Sequence, residues 1–157
     1  MCFVDGCSSK AVVDACGGIS SGAVFMTSSG VEHTPTGLDP KKAMVERSVP
    51  KKAYKDAILA WEMNGDPLPN SHGGPLRTIT PGYFGINNVK HVGKLSFTDK
   101  ESDVKYMKSS YRISPIGKKG SQYHTCWEMP VKYWITRPTD ETGTLKAGKD
   151  QIVGVAM

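Results

Sequence analysis

Short runs of alternating apolar and polar residues predict strands along much of this chain. KLSFTD (residues 94–99) alternates with the period of a strand, and LRTIT (76–80) is a short run enclosed by turn residues. Two short helices are also predicted, one at AVVDACGG, which ends in a glycine pair, and one at KKAMVER, where Asp39-Pro40 places a proline in the first turn. AVFMT (23–27) is predicted as a strand and residues 28–37 as a loop.

The segment 50–64 fits two different structures. Alanines at 53, 57 and 60 recur with helical spacing, whereas ILAWEMNG is typical of a strand that enters a tight turn at Asn64-Gly65. The pattern leaves both interpretations open.

A change of pattern near Pro130 predicts a second structural unit. MPVKYWITRP and QIVGVAM are two short β-rich runs separated by turn residues, as at the start of an all-β module. The second run reaches Met157, where a strand has nothing further to pair with, so we expect this β module to be incomplete.

The composition is that of a folded protein with one domain, or one domain and part of another. The chain has 157 residues, of which 38% are hydrophobic and 22% charged, and aromatic residues are spread along it. No apolar stretch approaches the roughly 18 residues that a membrane-spanning helix needs. Asp5, Lys10 and Asp14 interrupt any apolar stretch near the start, so no signal peptide is predicted.

The net charge of +5 arises from one segment. Between Gly85 and Gly120 the chain has eight Lys and Arg residues against three Asp and Glu residues, and the rest of the chain is balanced. Such a segment attracts anions, among them a phosphate, an oxyanion substrate or a nucleic-acid backbone. A solvated lysine-rich loop is the alternative interpretation.

The cysteines and the missing motifs exclude several kinds of site. Cys2, Cys7, Cys16 and Cys126 form no CxxC pair and show no zinc-ligand spacing, so free thiols are expected and no metal ligand is predicted. The chain also lacks GxSxG, a P-loop, GxGxxG after a strand and HExxH, which leaves catalysis by a nucleophile and a base unsupported.

The Gly- and Pro-rich stretch 66–85 carries the candidate chemistry. It contains His72 and Arg77, and Lys90 follows it. Arg offers a bidentate fork, Lys a point charge and glycine-rich backbone its N–H groups, and together these hold a phosphate-bearing cofactor. The glycines expected to let the backbone approach a ligand are Gly73, Gly74, Gly82 and Gly85.

The stretch AWEMNGDPLPNSHGGPLRTITPGYFGINNVKHVGKL resembles the molybdopterin-binding domain of sulfite oxidases and of eukaryotic assimilatory nitrate reductases. The shared pattern is an aromatic residue followed by EMNG, PLP, HG, PLR, PG, G and VK. Further along, YMKSSYRISP and MPVKYWITRP resemble the bacterial sulfite dehydrogenase branch. The resemblance implies an α+β fold, with part of a sulfite-oxidase-type molybdopterin-binding domain over residues 1–129. The start of an immunoglobulin-like β-sandwich, the family's dimerisation domain, would follow over residues 130–157.

The resemblance also implies roles for individual residues. The cofactor-binding positions would be Glu32, His72, Arg77, Asn88, Val89 and Lys90. Among them, His72, Arg77 and Lys90 match residues that hold the pterin and its terminal phosphate, and Glu32 lies near the position of a pterin-binding aspartate. Tyr111 matches the catalytic tyrosine beside the molybdenum, whose hydroxyl can hydrogen-bond an oxyanion substrate.

One element of the family pattern is missing. The family's molybdenum is held by a cysteine thiolate that would fall before Met1, and no arginine accompanies Cys2, Cys7 or Cys16. We therefore expect this chain to be a fragment that is incomplete and inactive by itself.

For the intact protein the resemblance implies oxygen-atom transfer that oxidises sulfite to sulfate. The implied cofactor is molybdopterin with its molybdenum, and haem would be present only on a partner or a separate domain. The implied partners are sulfite, an electron-accepting cytochrome and a second copy in a homodimer, with no nucleic acid and no membrane span. The sequence assigns no compartment, and a bacterial parent would be compatible with the periplasm.

Other interpretations are kept beside this one. A nitrate-reductase-type domain would move oxygen in the opposite direction, and a catalytically inert fragment of the same fold would lack activity. A nucleic-acid-binding module would use the aromatic residues that interleave with the basic segment, but no RNP, KH or helix-turn-helix pattern is present.

Overall fold

The computed structural model describes residues 3–31, 34–139, 147–148 and 151–156. The described strands are β1 (Val4–Ser8), β2 (Phe25–Gly30), β3 (Glu46–Pro50), β4 (Ile58–Met63), β5 (Asp66–Pro67), β6 (Arg77–Ile79), β7 (Val92–Thr98), β8 (Arg112–Ile113), β9 (His124–Thr125), β10 (Tyr133–Arg137) and β11 (Val153–Ala156). The α-helices are α1 (Ser9–Ala15), α2 (Pro40–Ala43) and α3 (Lys105–Lys108), and the 3-10 helices are Lys51–Lys55, Asn70–His72 and Gly85–Asn87. The described part is mostly β, so the expected α+β fold has a smaller helical share than the sequence suggested.

Two antiparallel sheets organise most of the described residues. In the first sheet β4 pairs with β1, β5 and β6. In the second sheet β2 lies between β3 and β7. The short strands β8 and β9 pair with each other, as do β10 and β11.

Strand β2 extends further than its sequence predicted. Residues 28–30 belong to the strand rather than to the predicted loop, although Ser28 and its neighbours are typical turn formers. Their hydroxyl groups are satisfied inside the protein: the Thr78 hydroxyl donates to Ser28 over 3.1 Å, and the Ser29 hydroxyl donates to the Glu46 carboxylate. Because these bonds replace water, serine and threonine can line the buried middle strand of a sheet.

Helix α2 is shorter than predicted. It begins after Asp39, whose carboxylate accepts a hydrogen bond from the Lys41 amide over 3.0 Å, and it ends at Ala43. The VER part of the predicted helix belongs instead to the region that enters β3, which pairs with β2 in the register Ser28 to Arg47. Val49 in this strand is only 2% exposed, so burial against β2 outweighs local helix propensity.

The segment 50–64, which fits both a helix and a strand by its pattern, contains a short helix followed by a strand. A 3-10 helix covers Lys51–Lys55, and β4 follows at Ile58–Met63. The tight turn is confirmed, because Asn64 and Gly65 have φ angles of 58° and 86°, the left-handed pair that joins two antiparallel strands.

The main apolar core lies beside the second sheet. Its buried members are Met26, Val49, Ala53, Ala57 and Tyr83. Trp127 packs against this cluster, and its indole N–H donates to the carbonyl oxygen of Ser48 over 2.9 Å. This contact fastens the segment around β9 to strand β3.

The two β-rich runs after Pro130 form the antiparallel hairpin β10–β11. Every residue of both strands is exposed. The assignment of this hairpin to an immunoglobulin-like domain stays a prediction. Among the described residues, no helix has the length and apolar character required to cross a membrane.

Candidate functional site

The turn around residues 70–74 packs directly against the chain at residues 90–91. Gly73 has a φ of 99°, and its carbonyl oxygen accepts a hydrogen bond from the His91 amide over 3.0 Å. The His91 Nδ1 lies 2.8 Å from the carbonyl oxygen of Gly74, so this nitrogen carries the proton and donates it. The turn is thus fixed at two consecutive carbonyls.

Gly73 and Gly74 lie where the chain packs closely against itself. A Cβ at Gly73 would lie 2.6 Å from the Cβ and Cγ of Lys90, and a Cβ at Gly74 would lie 1.9 Å from the carbonyl oxygen of Leu68. Close packing within the chain gives both positions a structural reason to be glycine, and their approach to a ligand stays a prediction. Gly82 and Gly85 have open space where a side chain would be.

Arg77 reaches from β6 to the same turn. Its Nη1 donates to the carbonyl oxygen of His72 over 2.7 Å, and its Nη2 donates to that of Asn88 over 3.3 Å. Its Nε is buried and has no hydrogen-bond partner among the described residues. Burial lowers the pKa of Arg77 below its ordinary value, but a guanidinium stays charged at neutral pH.

Lys90 ends at the neighbouring carbonyl. Its Nζ donates to the carbonyl oxygen of Ser71 over 2.7 Å, one residue before the carbonyl that Arg77 contacts. Two positive side chains therefore meet at one 3-10 turn, and the exposed side chain of His72 lies on the same turn.

Asn88 and Val89 hold Lys90 beside β6. The Asn88 Oδ1 accepts a hydrogen bond from the Thr80 amide over 2.7 Å, and the Val89 carbonyl accepts one from the Thr78 amide over 2.9 Å. Val89 is 1% exposed. The structure thus brings together five of the six expected cofactor-binding residues, and the sixth, Glu32, lies outside the described residues.

Tyr111 lies in another part of the chain, directly before β8. It lines an open cavity of about 510 Å³ that the chain from Ser109 to Gly120 forms, and Arg112, Lys118 and Lys119 also line it. Tyr111 is 47% exposed. Its φ is 54°, in the left-handed region that side chains rarely adopt.

Sequence reasoning missed Arg47, which lies under Tyr111. Arg47 is 1% exposed, and its guanidinium carbon lies 5.9 Å from the centre of the Tyr111 ring. It donates to the Asn87 side chain and to the Tyr106 carbonyl. In the sequence Arg47 is only a charged residue at the end of KKAMVER, which is predicted as a short helix.

Arg112, which follows Tyr111 in the chain, also holds the segment around Tyr111 in place. Its Nη2 donates to the Met107 carbonyl over 2.8 Å and lies 3.5 Å from the Glu101 carboxylate, and its Nη1 donates to the Tyr123 carbonyl over 3.2 Å. These contacts join α3 to the β8–β9 pair. The described residues contain no group of three or more His, Cys, Asp or Glu side chains arranged to hold a metal ion.

Residues 4–106 match the family described as the oxidoreductase molybdopterin binding domain. This chain belongs to the sulfite oxidase family of molybdopterin-binding oxidoreductases. The match includes the turn at residues 70–74 together with Arg77 and Lys90, and it ends before Tyr111.

Curated members of the family include several similar relatives. Mitochondrial sulfite oxidase of Rattus norvegicus is 31% identical over 140 residues, which cover 81% of this chain and 24% of that protein. Sulfite oxidase of Arabidopsis thaliana is 36% identical over 123 residues, covering 75% of this chain and 31% of that protein. Inducible nitrate reductase [NADH] 1 of Glycine max is 34% identical over 107 residues, covering 66% of this chain and 12% of that protein. The chain thus spans about a quarter of the length of the mitochondrial sulfite oxidase that it matches.

The fold also matches a solved structure. The sulfane dehydrogenase SoxCD of Paracoccus pantotrophus superposes with a TM-score of 0.62 at 24% identity, covering 85% of this chain and 32% of that chain. This likeness supports the molybdopterin-binding oxidoreductase fold of the chain.

Proposed function

We propose that the turn at residues 70–74, with Arg77 and Lys90, binds the terminal phosphate of a molybdopterin cofactor. The observation that supports the proposal is the buried Arg77 Nε, which has no hydrogen-bond partner among the described residues, together with Lys90, which ends at the carbonyl next to the one that Arg77 contacts. A phosphate oxygen would satisfy such a donor, and the carbonyl contacts hold both side chains in place before it binds. The residues present therefore fit a phosphate-bearing group.

The intact protein would use this cofactor to oxidise sulfite to sulfate and pass two electrons to a haem protein. When bound, the molybdenum cofactor supplies the oxygen-atom transfer and the two-electron redox chemistry. Tyr111 would face the anionic substrate from the basic cavity of residues 109–120, with its hydroxyl as a hydrogen-bond donor. Arg112 and the two lysines of that cavity would favour an oxyanion there.

The same site fits a nitrate-reducing enzyme, and the similarity to the Glycine max nitrate reductase supports that alternative. Turnover by the intact protein decides between the two. Sulfite-dependent reduction of cytochrome c, without nitrate-dependent oxidation of a reduced dye, supports the sulfite reaction. The reverse pattern supports nitrate reduction, and a cofactor-loaded protein inactive in both assays would be an inert member of the fold.

We further propose that residues 1–129 belong to the cofactor domain and that residues 130–157 begin an immunoglobulin-like domain that forms a homodimer. The exposed β10–β11 hairpin supports this boundary, since its apolar side chains have no cover among the described residues.

A further inference from the structure

Arg47 is a buried cation that has no anionic partner among the described residues. It is 1% exposed, and no described carboxylate lies within ion-pair distance of it. Burial lowers the pKa of Arg47 to about 10, so the side chain stays charged at neutral pH. A buried charge is costly unless hydrogen bonds compensate it, so its contacts indicate why it is there.

The hydrogen bonds of Arg47 connect three separate parts of the chain. Its Nε and Nη2 lie 3.2 and 3.1 Å from the Asn87 Oδ1, and its Nη1 donates to the Tyr106 carbonyl in α3. The Asn87 Nδ2 in turn donates to the Cys126 carbonyl over 2.8 Å. Strand β3 is thereby tied to α3 and to the segment after β9.

Both ends of this connection meet Tyr111. The Cys126 amide donates to the Tyr111 carbonyl over 2.9 Å, which fixes the backbone. The Arg47 guanidinium lies 5.9 Å from the centre of the Tyr111 ring, and the Tyr106 ring centre lies 6.3 Å from it. A guanidinium at this distance over a ring attracts its negative face.

The backbone of Tyr111 needs such support. Its φ of 54° is disfavoured for a residue with a Cβ, and its side chain is 47% exposed. An exposed residue in a disfavoured conformation keeps it only when its neighbours hold it. Arg47 contacts the Tyr111 ring directly. Through Asn87 it is also connected to Cys126, whose amide holds the Tyr111 backbone.

We infer that Arg47 is a positioning residue for Tyr111: it sets the place of the phenol ring at the basic cavity without touching the substrate. The catalytic meaning of that position rests on the proposed function, whereas the placement of the ring can be tested without cofactor.

Fluorine NMR of this chain, labelled with 3-fluorotyrosine, measures the placement directly. Tyr111→Phe assigns the Tyr111 resonance. In Arg47→Lys and Arg47→Met we expect that resonance to shift and broaden more than that of Tyr54, which packs against Phe97 beside the main apolar core. Thr78→Val is the matched control, because it removes a buried hydrogen bond to Ser28 and should leave Tyr111 unmoved.

A second arm does not depend on how Arg47 variants fold. Tyr111 is half exposed, so Tyr111→Leu should fold, and we expect it to move the Arg47 Nε–Hε resonance of the ¹⁵N-labelled chain through loss of the ring current. An unmoved Tyr111 resonance in a folded Arg47 variant, or an unmoved Arg47 resonance in Tyr111→Leu, would overturn the inference. In the intact loaded enzyme, Arg47→Lys should lower kcat for sulfite while cofactor content stays constant. Shifted Tyr111 and Arg47 resonances with an unchanged kcat would support the positioning of the ring by Arg47 and count against the proposed role of Tyr111.

Discussion

The Arg77 guanidinium donates a hydrogen bond of 2.7 Å to the carbonyl oxygen of His72, five residues earlier in the chain. The bond places the guanidinium at the turn of residues 70–74, where the Lys90 side chain also ends. A side chain held by backbone carbonyls loses little further freedom when an anion binds, which favours a preorganised phosphate site.

Removing the Arg77 side chain should reduce cofactor binding. We expect Arg77→Ala in the intact protein to lower molybdenum and pterin content, since losing a charge-assisted contact costs about 1.5–3 kcal/mol. Arg77→Lys keeps the charge but cannot contact both carbonyls as a fork. Its cofactor content should therefore lie between those of the parent and of Arg77→Ala. Melting temperatures measured in parallel separate loss of the site from loss of the fold. Unchanged cofactor content in folded Arg77→Ala would show that the residue has only a structural role.

Gly73 and Gly82 provide a matched test of the close packing at the turn. Both have left-handed φ angles, 99° and 76°, but only Gly73 faces a neighbour where a Cβ would stand. Gly82→Ala should lower the free energy of unfolding by about 1–2 kcal/mol through backbone strain alone. Gly73→Ala should cost about 1–3 kcal/mol more, because its methyl group overlaps the Lys90 side chain. Chemical denaturation measures both values, and equal losses would argue against the close approach of the two segments.

The hydroxyl of Tyr111 should matter for turnover but not for cofactor content. Tyr111→Phe in the intact enzyme retains the ring over Arg47 and removes only the hydroxyl. We expect the barrier for sulfite oxidation to rise by about 1–4 kcal/mol, the value of one or two hydrogen bonds to an anionic reactant. Tyr54→Phe, which changes a tyrosine in the core, is the control for loss of a phenol elsewhere. If kcat and KM both equal those of the parent, Tyr111 is not catalytic.

The β10–β11 hairpin should make this chain self-associate. Tyr133 and Ile135 lie on one face of β10 and are 76% and 58% exposed. A two-stranded sheet with exposed apolar side chains and unpaired edges favours association with other copies of the chain. Sedimentation velocity should show oligomers that the double variant Tyr133→Glu/Ile135→Glu shifts toward monomer, while Lys132→Glu changes charge nearby with a smaller effect. A monomeric parent chain that melts cooperatively would contradict this expectation.

The sequence alone determined those features that depend on neighbours a few residues away. Asp39 caps α2, the Asn64-Gly65 pair makes the tight turn, and the runs LRTIT and KLSFTD become strands at or near their predicted places. Such features follow from backbone conformation and side-chain alternation, which a short window of sequence contains. The motif around Arg77 and Lys90 also carried the family assignment that the comparisons confirmed.

Tertiary structure alone decided which side chains meet across long separations. Arg47 contacts Asn87, 40 residues away, and this partner makes its burial possible. The serines of β2 can lie in a buried strand because side chains of other strands satisfy them, the Thr78 hydroxyl for Ser28 and the Glu46 carboxylate for Ser29. A side chain at Gly73 would overlap Lys90. No periodicity encodes these partners, since each depends on how two sheets bring remote segments together. The free energy of burying a polar group is set by that partner rather than by the residue itself.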